Sequence, residues 1–170
     1  EDSAFDIRDL PDYITRLEAM LDEAGVEYTH AAHAGDGELH TTVFLNLKTA
    51  EGHRLYRKLA ENTAALVKEF RGSLSGEHGD GRMRAEFLAK MIGEENYRLC
   101  CEVKDSFDPV GILNPNRIVR APKMDICLRY APDWPTPEIP TYFDWSRDLG
   151  VLRAVERCNG IAECKKIRGG

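Results

Sequence analysis

No stretch of the 170-residue chain approaches the ~20 consecutive apolar residues that a membrane helix needs, so a helical membrane span is excluded. Basic charge is also short. Against 29 acidic residues stand 23 Lys and Arg, a net charge of −6, and without a broad basic field nucleic acid is not an expected partner. The five cysteines are an odd number, Cys100 and Cys101 are adjacent in a helical pattern, and the N-terminus has no signal-peptide pattern, so a disulfide framework is not expected. Internal repeats and low-complexity tracts are absent, and so is an initiating Met. The chain starts at Glu1-Asp2-Ser3 and stops at Gly169-Gly170 just after a Cys-containing motif opens, which reads as an excised fragment. What remains is a composition of 42% apolar and 31% charged residues, ordinary for a globular protein of one domain with an appendage.

From Arg8 to Ala24 the apolar residues Leu10, Ile14, Leu17 and Leu21 recur at helical spacing, with Gly25 just past the end. Val26 to His33 and Leu39 to Leu47 read as two strands of a hairpin turning at Gly35-Asp36-Gly37. Alternation along the second strand places Leu39, Thr41, Val43, Leu45 and Leu47 on one face and His40, Thr42, Phe44 and Asn46 on the other. Thr49 is a candidate cap for a long helix reaching about Phe70, with Leu55, Leu59, Leu66 and Phe70 as its apolar stripe. The segment Gly72 to Gly81 holds four glycines in ten residues and reads as a functional loop. Helical pattern resumes from about Met83 to Ser106, broken at Gly93 and ended by Asp108-Pro109. Beyond Asn114-Pro115, the prolines at 122, 132, 135, 137 and 140 predict an extended segment without a core of its own. The expected class is α+β, with helices on one face of an antiparallel sheet. Two strands are marginal alone, so further strands are expected from sequence preceding Glu1.

Two constellations carry candidate chemistry. His33 and His40 bracket the glycine turn, and in a paired hairpin they sit roughly opposite one another, with Cβ atoms about 4.5–5.5 Å apart. Two such imidazoles can share a metal; as plain polar strand ends they fit the spacing equally well. Glu77 and His78 place a carboxylate and an imidazole side by side on a permissive backbone, so one can bind an ion while the other faces a substrate. Histidine titrates near neutrality and is a plausible base for an alcohol proton; the plain alternative is a solvated turn. Arg82 and Arg84 are candidates to clamp an anionic substrate, or else solvated helix-start residues. His30 and His53 read as surface or packing residues.

Taken together, His33-Ala-Gly-Asp-Gly-Glu-Leu-His40, Gly72-Ser-Leu-Ser-Gly-Glu-His-Gly-Asp-Gly81 and Phe107-Asp-Pro-Val-Gly-Ile-Leu-Asn-Pro115 resemble the C-terminal domain of FAD-linked oxidases, a family that includes D-lactate, glycolate and D-2-hydroxyglutarate dehydrogenases. The resemblance covers about Arg8 to Lys123. It implies a ferredoxin-like cap domain closing over FAD held mainly by a separate FAD-binding domain. By position, His33, His40 and Glu77 match the family's ligands to a divalent metal, zinc or manganese, and His78 matches its base. Asn114 matches an asparagine near the flavin ring. Glu38 and Thr42 stand where many relatives carry Asn. The implied reaction oxidises a small D-2-hydroxy acid to the 2-oxo acid: the substrate chelates the metal, His78 takes the hydroxyl proton and hydride passes to flavin.

The tail, from Met124-Asp-Ile-Cys to Cys158-Asn-Gly-Ile-Ala-Glu-Cys164-Lys165, resembles long bacterial proteins in which a ferredoxin-type iron–sulfur module follows the oxidase. Cys158 and Cys164 match the first cysteines of a 4Fe–4S site; a cluster needs four ligands, so none is expected to assemble on this pair. The expected partition is residues 1–123 for the oxidase domain, 124–157 for a Pro-rich extension and 158–170 for the start of the iron–sulfur module. The resemblance implies a cytoplasmic location, with peripheral membrane association as an alternative, and leaves homo-oligomerisation open. Two rival readings are a metal-dependent hydrolase, which predicts activity by the isolated chain, and a ferredoxin-like interaction module without chemistry, which predicts no metal.

Overall fold

The computed structural model describes residues 2–165, in two compact units: one reaching Asp133 and one from Trp134 onward. The first unit is α+β. Its sheet holds three antiparallel strands among the described residues, β1 (Asp2–Ala4), β2 (Glu27–His33) and β3 (Glu38–Phe44), in the order β1-β3-β2. Helices α1 (Leu10–Glu23) and α2 (Ala50–Glu69) carry the core, followed by α3 (Leu88–Ile92) and α4 (Glu94–Phe107).

Buried side chains of α1 and α2 meet Leu39 of β3. From α1 come Leu10, Tyr13, Leu17 and Leu21, and from α2 Leu59, Ala60, Ala64, Leu66 and Val67. The α1 stripe includes Tyr13 where the pattern suggested Ile14, which is only partly buried. An aromatic residue serves because its ring lies 4.0 Å from that of Phe5 while its hydroxyl donates to Ser3 Oγ at 3.3 Å. The expected cap of α2 is present: Thr49 Oγ1 accepts from Gly52 N at 3.0 Å. Helix α4 differs, having no buried residue; its Leu99, Val103 and Phe107 are exposed.

Two features of the sheet depart from the sequence reading. Strand β1 comes from Asp2–Ala4 itself, ahead of α1, and supplies a third strand from residues that carried no strand signal. The Gly72–Gly81 loop then runs along the free edge of β1. Ala4 and Ser73 exchange backbone hydrogen bonds of 3.0 and 2.8 Å, and Gly76 N donates to Asp2 O at 2.6 Å. An edge that would otherwise expose unpaired backbone is thereby covered. The hairpin turn passes through a short 3-10 turn to Gly37, whose φ of 71° places it in the left-handed region; a Cβ there would lie 2.1 Å from Phe5 O, so glycine is required twice over.

The second unit contains a 3-10 turn at Ser146–Asp148 and the short helix α5 (Val151–Glu156), which the sequence reading did not anticipate. None of its described residues is buried, in keeping with a segment that lacks a core. No helix among the described residues is long and apolar enough to cross a membrane.

Candidate active site

Alternation along β3 decides which side chains meet. Leu39 and Thr41 turn to the helices, as do Ser3 opposite Leu39 and His30 opposite Thr41, whose Nδ1 lies 3.0 Å from Thr41 Oγ1. Glu38 and His40 turn to the other face. So do their cross-strand partners: Asp2 opposite His40 on one side, and His33 opposite Glu38 on the other. His33 and His40, expected roughly opposite one another, share a face but not a pair, since the register sets His40 against Ala31 and His33 against Glu38. The two imidazoles are diagonal neighbours, their rings 5.4 Å apart.

The loop over the β1 edge brings Glu77 and His78 to this same face. A single oxygen, Glu77 Oε1, lies 3.5 Å from His33 Nε2, 3.2 Å from His40 Nε2 and 3.4 Å from His78 Nε2. The His40 and His78 rings stack at 5.0 Å. Beneath them sits Asp2, fully buried. Its Oδ2 accepts from Ser75 Oγ at 2.7 Å and His78 N at 2.8 Å, and its Oδ1 accepts from Glu77 N at 3.3 Å. Gly76 leaves room here for the Glu38 carboxyl, whose Oε1 would lie 2.1 Å from a Cβ at that position.

Two carboxyls in contact cannot share the same protonation state cheaply. Burial pushes the Asp2 carboxyl up, but hydrogen bonds from His78 N, Ser75 and Glu77 N, joined by one from Glu38, outweigh it and hold Asp2 at about 2. Glu38 moves the other way, raised by burial, by its hydrogen bond with Asp2 and by the charges of Glu77 and Asp2. Of the pair, Asp2 is the readier to ionise and Glu38 the readier to hold a proton.

The residues fit a divalent metal. Ligand atoms of a tetrahedral zinc with bonds of about 2.0–2.1 Å stand about 3.3 Å apart, the spacing that Glu77 Oε1 keeps from the Nε2 atoms of His33 and His40. Imidazole and carboxylate donors suit zinc, and carboxylate also suits manganese. His40 Nδ1 is buried with no hydrogen bond of normal length, its nearest acceptor being Asp2 Oδ1 at 3.5 Å. Two overlapping donor sets satisfy the spacing of a metal site: His33, Glu38, His40 and Glu77, and Asp2, His40, Glu77 and His78. His40 and Glu77 belong to both sets, and in the second Asp2 is already engaged by three donors.

The other candidates lie in different surroundings. Arg82 donates to Cys127 O at 2.9 Å and Arg84 to Gly79 O at 3.0 Å, so both guanidinium groups brace backbone around the loop. Asn114, at a positive φ of 49°, lines an apolar groove of about 570 Å³ with Leu99, Val103, Phe107 and Ile118. Cys158 and Cys164 are exposed in the second unit, and neither forms a disulfide. The residue that sequence reasoning missed is Asp2. Its only local signal is an acidic residue two places from an apolar one, and its role emerges from pairing with β3.

Residues 1–118 match the family described as FAD linked oxidases, C-terminal domain. The chain belongs to that family. It is 35% identical over 118 residues to the D-2-hydroxyglutarate dehydrogenase of Escherichia coli (strain K12), covering 69% of this chain and 12% of that protein. The D-2-hydroxyglutarate dehydrogenase of Pseudomonas putida is 36% identical over the same length and share of each chain. The D-lactate dehydrogenase of Anaerostipes hadrus is 33% identical over 110 residues, 64% of this chain and 23% of that protein.

Proposed function

We propose that this domain works in a flavin-dependent dehydrogenase that oxidises a D-2-hydroxy acid to the 2-oxo acid, supplying metal ligands, a base and a cover for the active site. The observation that carries the reading is the position of Glu77 Oε1, within 3.2–3.5 Å of the Nε2 atoms of His33, His40 and His78. Relatives named for D-2-hydroxyglutarate and D-lactate support the substrate class. His33, His40 and Glu77 hold the divalent ion, which supplies Lewis acidity toward the substrate hydroxyl and carboxylate when bound. FAD, held mainly by a separate domain, supplies the two-electron acceptor when bound.

His78 accepts the hydroxyl proton at Nε2. Its ring is held by stacking on His40 and its backbone N–H by Asp2, so the nitrogen is presented without reorganisation. Arg82 and Arg84, just after the loop, brace backbone and lend their positive charge to an anionic substrate. Asn114 and its apolar groove form the wall toward the flavin ring. Cys158 and Cys164 are the first two thiolates of an iron–sulfur centre that draws its other ligands from elsewhere.

The test uses the protein that carries both this domain and the FAD-binding region, with dye reduction by candidate D-2-hydroxy acids. His78→Ala should slow turnover by about 10²–10⁴-fold while bound metal is retained. Unchanged turnover in that variant, or activity untouched by complete metal removal, would refute the reading.

A further inference from the structure

We propose that Asp2 is a positioning residue that biases the tautomers of two histidines at once, the charge of its carboxylate facing the Nδ1 of His40 from Oδ1 and that of His78 from Oδ2 and so favouring the proton on Nδ1 in each. The inference rests on the metal-and-base reading above and adds to it a division of labour within one carboxylate. His40 Nδ1 lies 3.5 Å from Asp2 Oδ1, and His78 Nδ1 lies 3.6 Å from Asp2 Oδ2. Both contacts sit on the inner side of the rings. Both Nε2 atoms point the opposite way, toward Glu77 Oε1.

A neutral imidazole has one N–H and one lone pair, and the partner of one nitrogen decides which the other offers. A carboxylate facing Nδ1 favours the proton there. It leaves the Nε2 lone pair of His40 for a metal and that of His78 for a proton acceptor's work. An outer carboxylate on a ligating histidine is a recurrent device. So is a buried aspartate behind a catalytic imidazole, where loss of the charge misplaces the tautomer. Here one aspartate serves both because β1 pairs Asp2 directly with His40, while Ser75 Oγ, Glu77 N and His78 N converge on its two oxygens from the loop. Asp2 meets donors on both oxygens, the surroundings of an acceptor.

The two oxygens are not equivalent, and that makes the test sharp. Oδ2 has the two short donors, Ser75 Oγ at 2.7 Å and His78 N at 2.8 Å, so the amide of Asp2→Asn keeps its oxygen there. Its NH₂ then replaces Oδ1, faces His40 Nδ1 and gives up the 3.3 Å bond from Glu77 N. Asp2→Asn should therefore move the His40 proton to Nε2 and leave His78 with its proton on Nδ1.

The experiment is nitrogen-15 NMR of the full chain, metal-free, at a pH where the imidazoles are neutral, with zinc titration in parallel. In the unaltered chain both His40 and His78 should carry the proton on Nδ1. In Asp2→Asn the His40 proton should shift to Nε2, and zinc affinity should fall about 10–100-fold. Ser75→Ala removes a loop anchor but keeps the carboxylate, and should leave zinc affinity within about twofold. An Nε2 proton on either histidine in the unaltered chain overturns the proposal, and this reading needs no variant to fold. So does an Asp2→Asn chain that binds zinc as tightly as the original, or a Ser75→Ala loss as large as that of Asp2→Asn. An unaltered chain that binds no zinc would instead sink the metal centre while the tautomer assignment stood or fell separately.

Discussion

The two faces of the sheet share strand β3 and are held by different forces. Toward the helices, Leu39 and its neighbours join a cluster with Tyr13, Leu17, Leu21 and Val67, where removal of apolar surface from water drives packing. On the other face Asp2, Glu38 and His40 sit among polar partners, with Asp2 as buried as any core leucine. Its burial is sustained by donors from a loop whose glycine permits the approach. This small domain separates its stability from its chemistry by the two-residue alternation of one strand. A substitution on one face should therefore leave the other nearly untouched.

The strongest way to break that separation is from the helix side. Leu17, at 1% exposure, touches the middle of the core, so Leu17→Ala should cost about 2–5 kcal/mol, read as a lowered denaturant midpoint. Below the unfolding transition its zinc affinity should match that of the unaltered chain. A loss of affinity before any loss of fold would show that the faces are coupled.

The next effect comes from acid. Asp2 is held at about 2 against an ordinary 3.8, so the native state binds fewer protons than the unfolded one between those values. Its contribution, about 2 kcal/mol, is fully present above the unfolded value and is lost as pH falls through the folded one. Glu38 has the opposite sign: its raised folded pKa gives stability at low pH that fades as pH rises above 4.5. In metal-free chain, the stability difference between the original and Asp2→Asn should shrink as pH drops from about 5 toward 2. A difference that stays constant over that range would refute the assignment of charge to Asp2.

These two effects also mark what the sequence could tell. The span and cap of helix α2 were legible because their signals are local, and of the expected stripe Leu59 and Leu66 are buried; Leu55 and Phe70 are only partly so, their place taken by Ala60, Ala64 and Val67. The hairpin and its polar face followed from alternation, and the motif residues His33, His40, Glu77 and His78 do converge. Register was less legible. A turn that closes at His33 and Glu38 sets the two histidines on a diagonal, and counting residues does not reveal where the ladder closes. Least legible was Asp2, in a three-residue strand whose existence depends on partners from Glu38 to Ser75, far along the chain. Tyr13 was overlooked for a related reason, since its hydroxyl hides an apolar ring that Phe5 and Phe70 complete.

The smallest effect on the fold should accompany the largest on the ligand. His33 ends β2 with its side chain 57% exposed, and its only ion-pair partner among the described residues is Glu77 at 3.5 Å, itself half exposed. Such a contact is worth little in solvent, so His33→Ala should change stability by less than about 0.5 kcal/mol. Zinc affinity should nevertheless fall by more than the about 10–100-fold that loss of an outer-shell partner costs, because a ligand atom itself is gone. Thermal unfolding of the metal-free chain and zinc titration of the same sample give both numbers. If His33→Ala unfolds early, the open face contributes to stability after all and the division between the two sides of β3 fails. If it binds zinc normally, the ligands are His40, Glu77 and a third group on the Asp2 side of the cluster, and His78 becomes a ligand where a base was assigned.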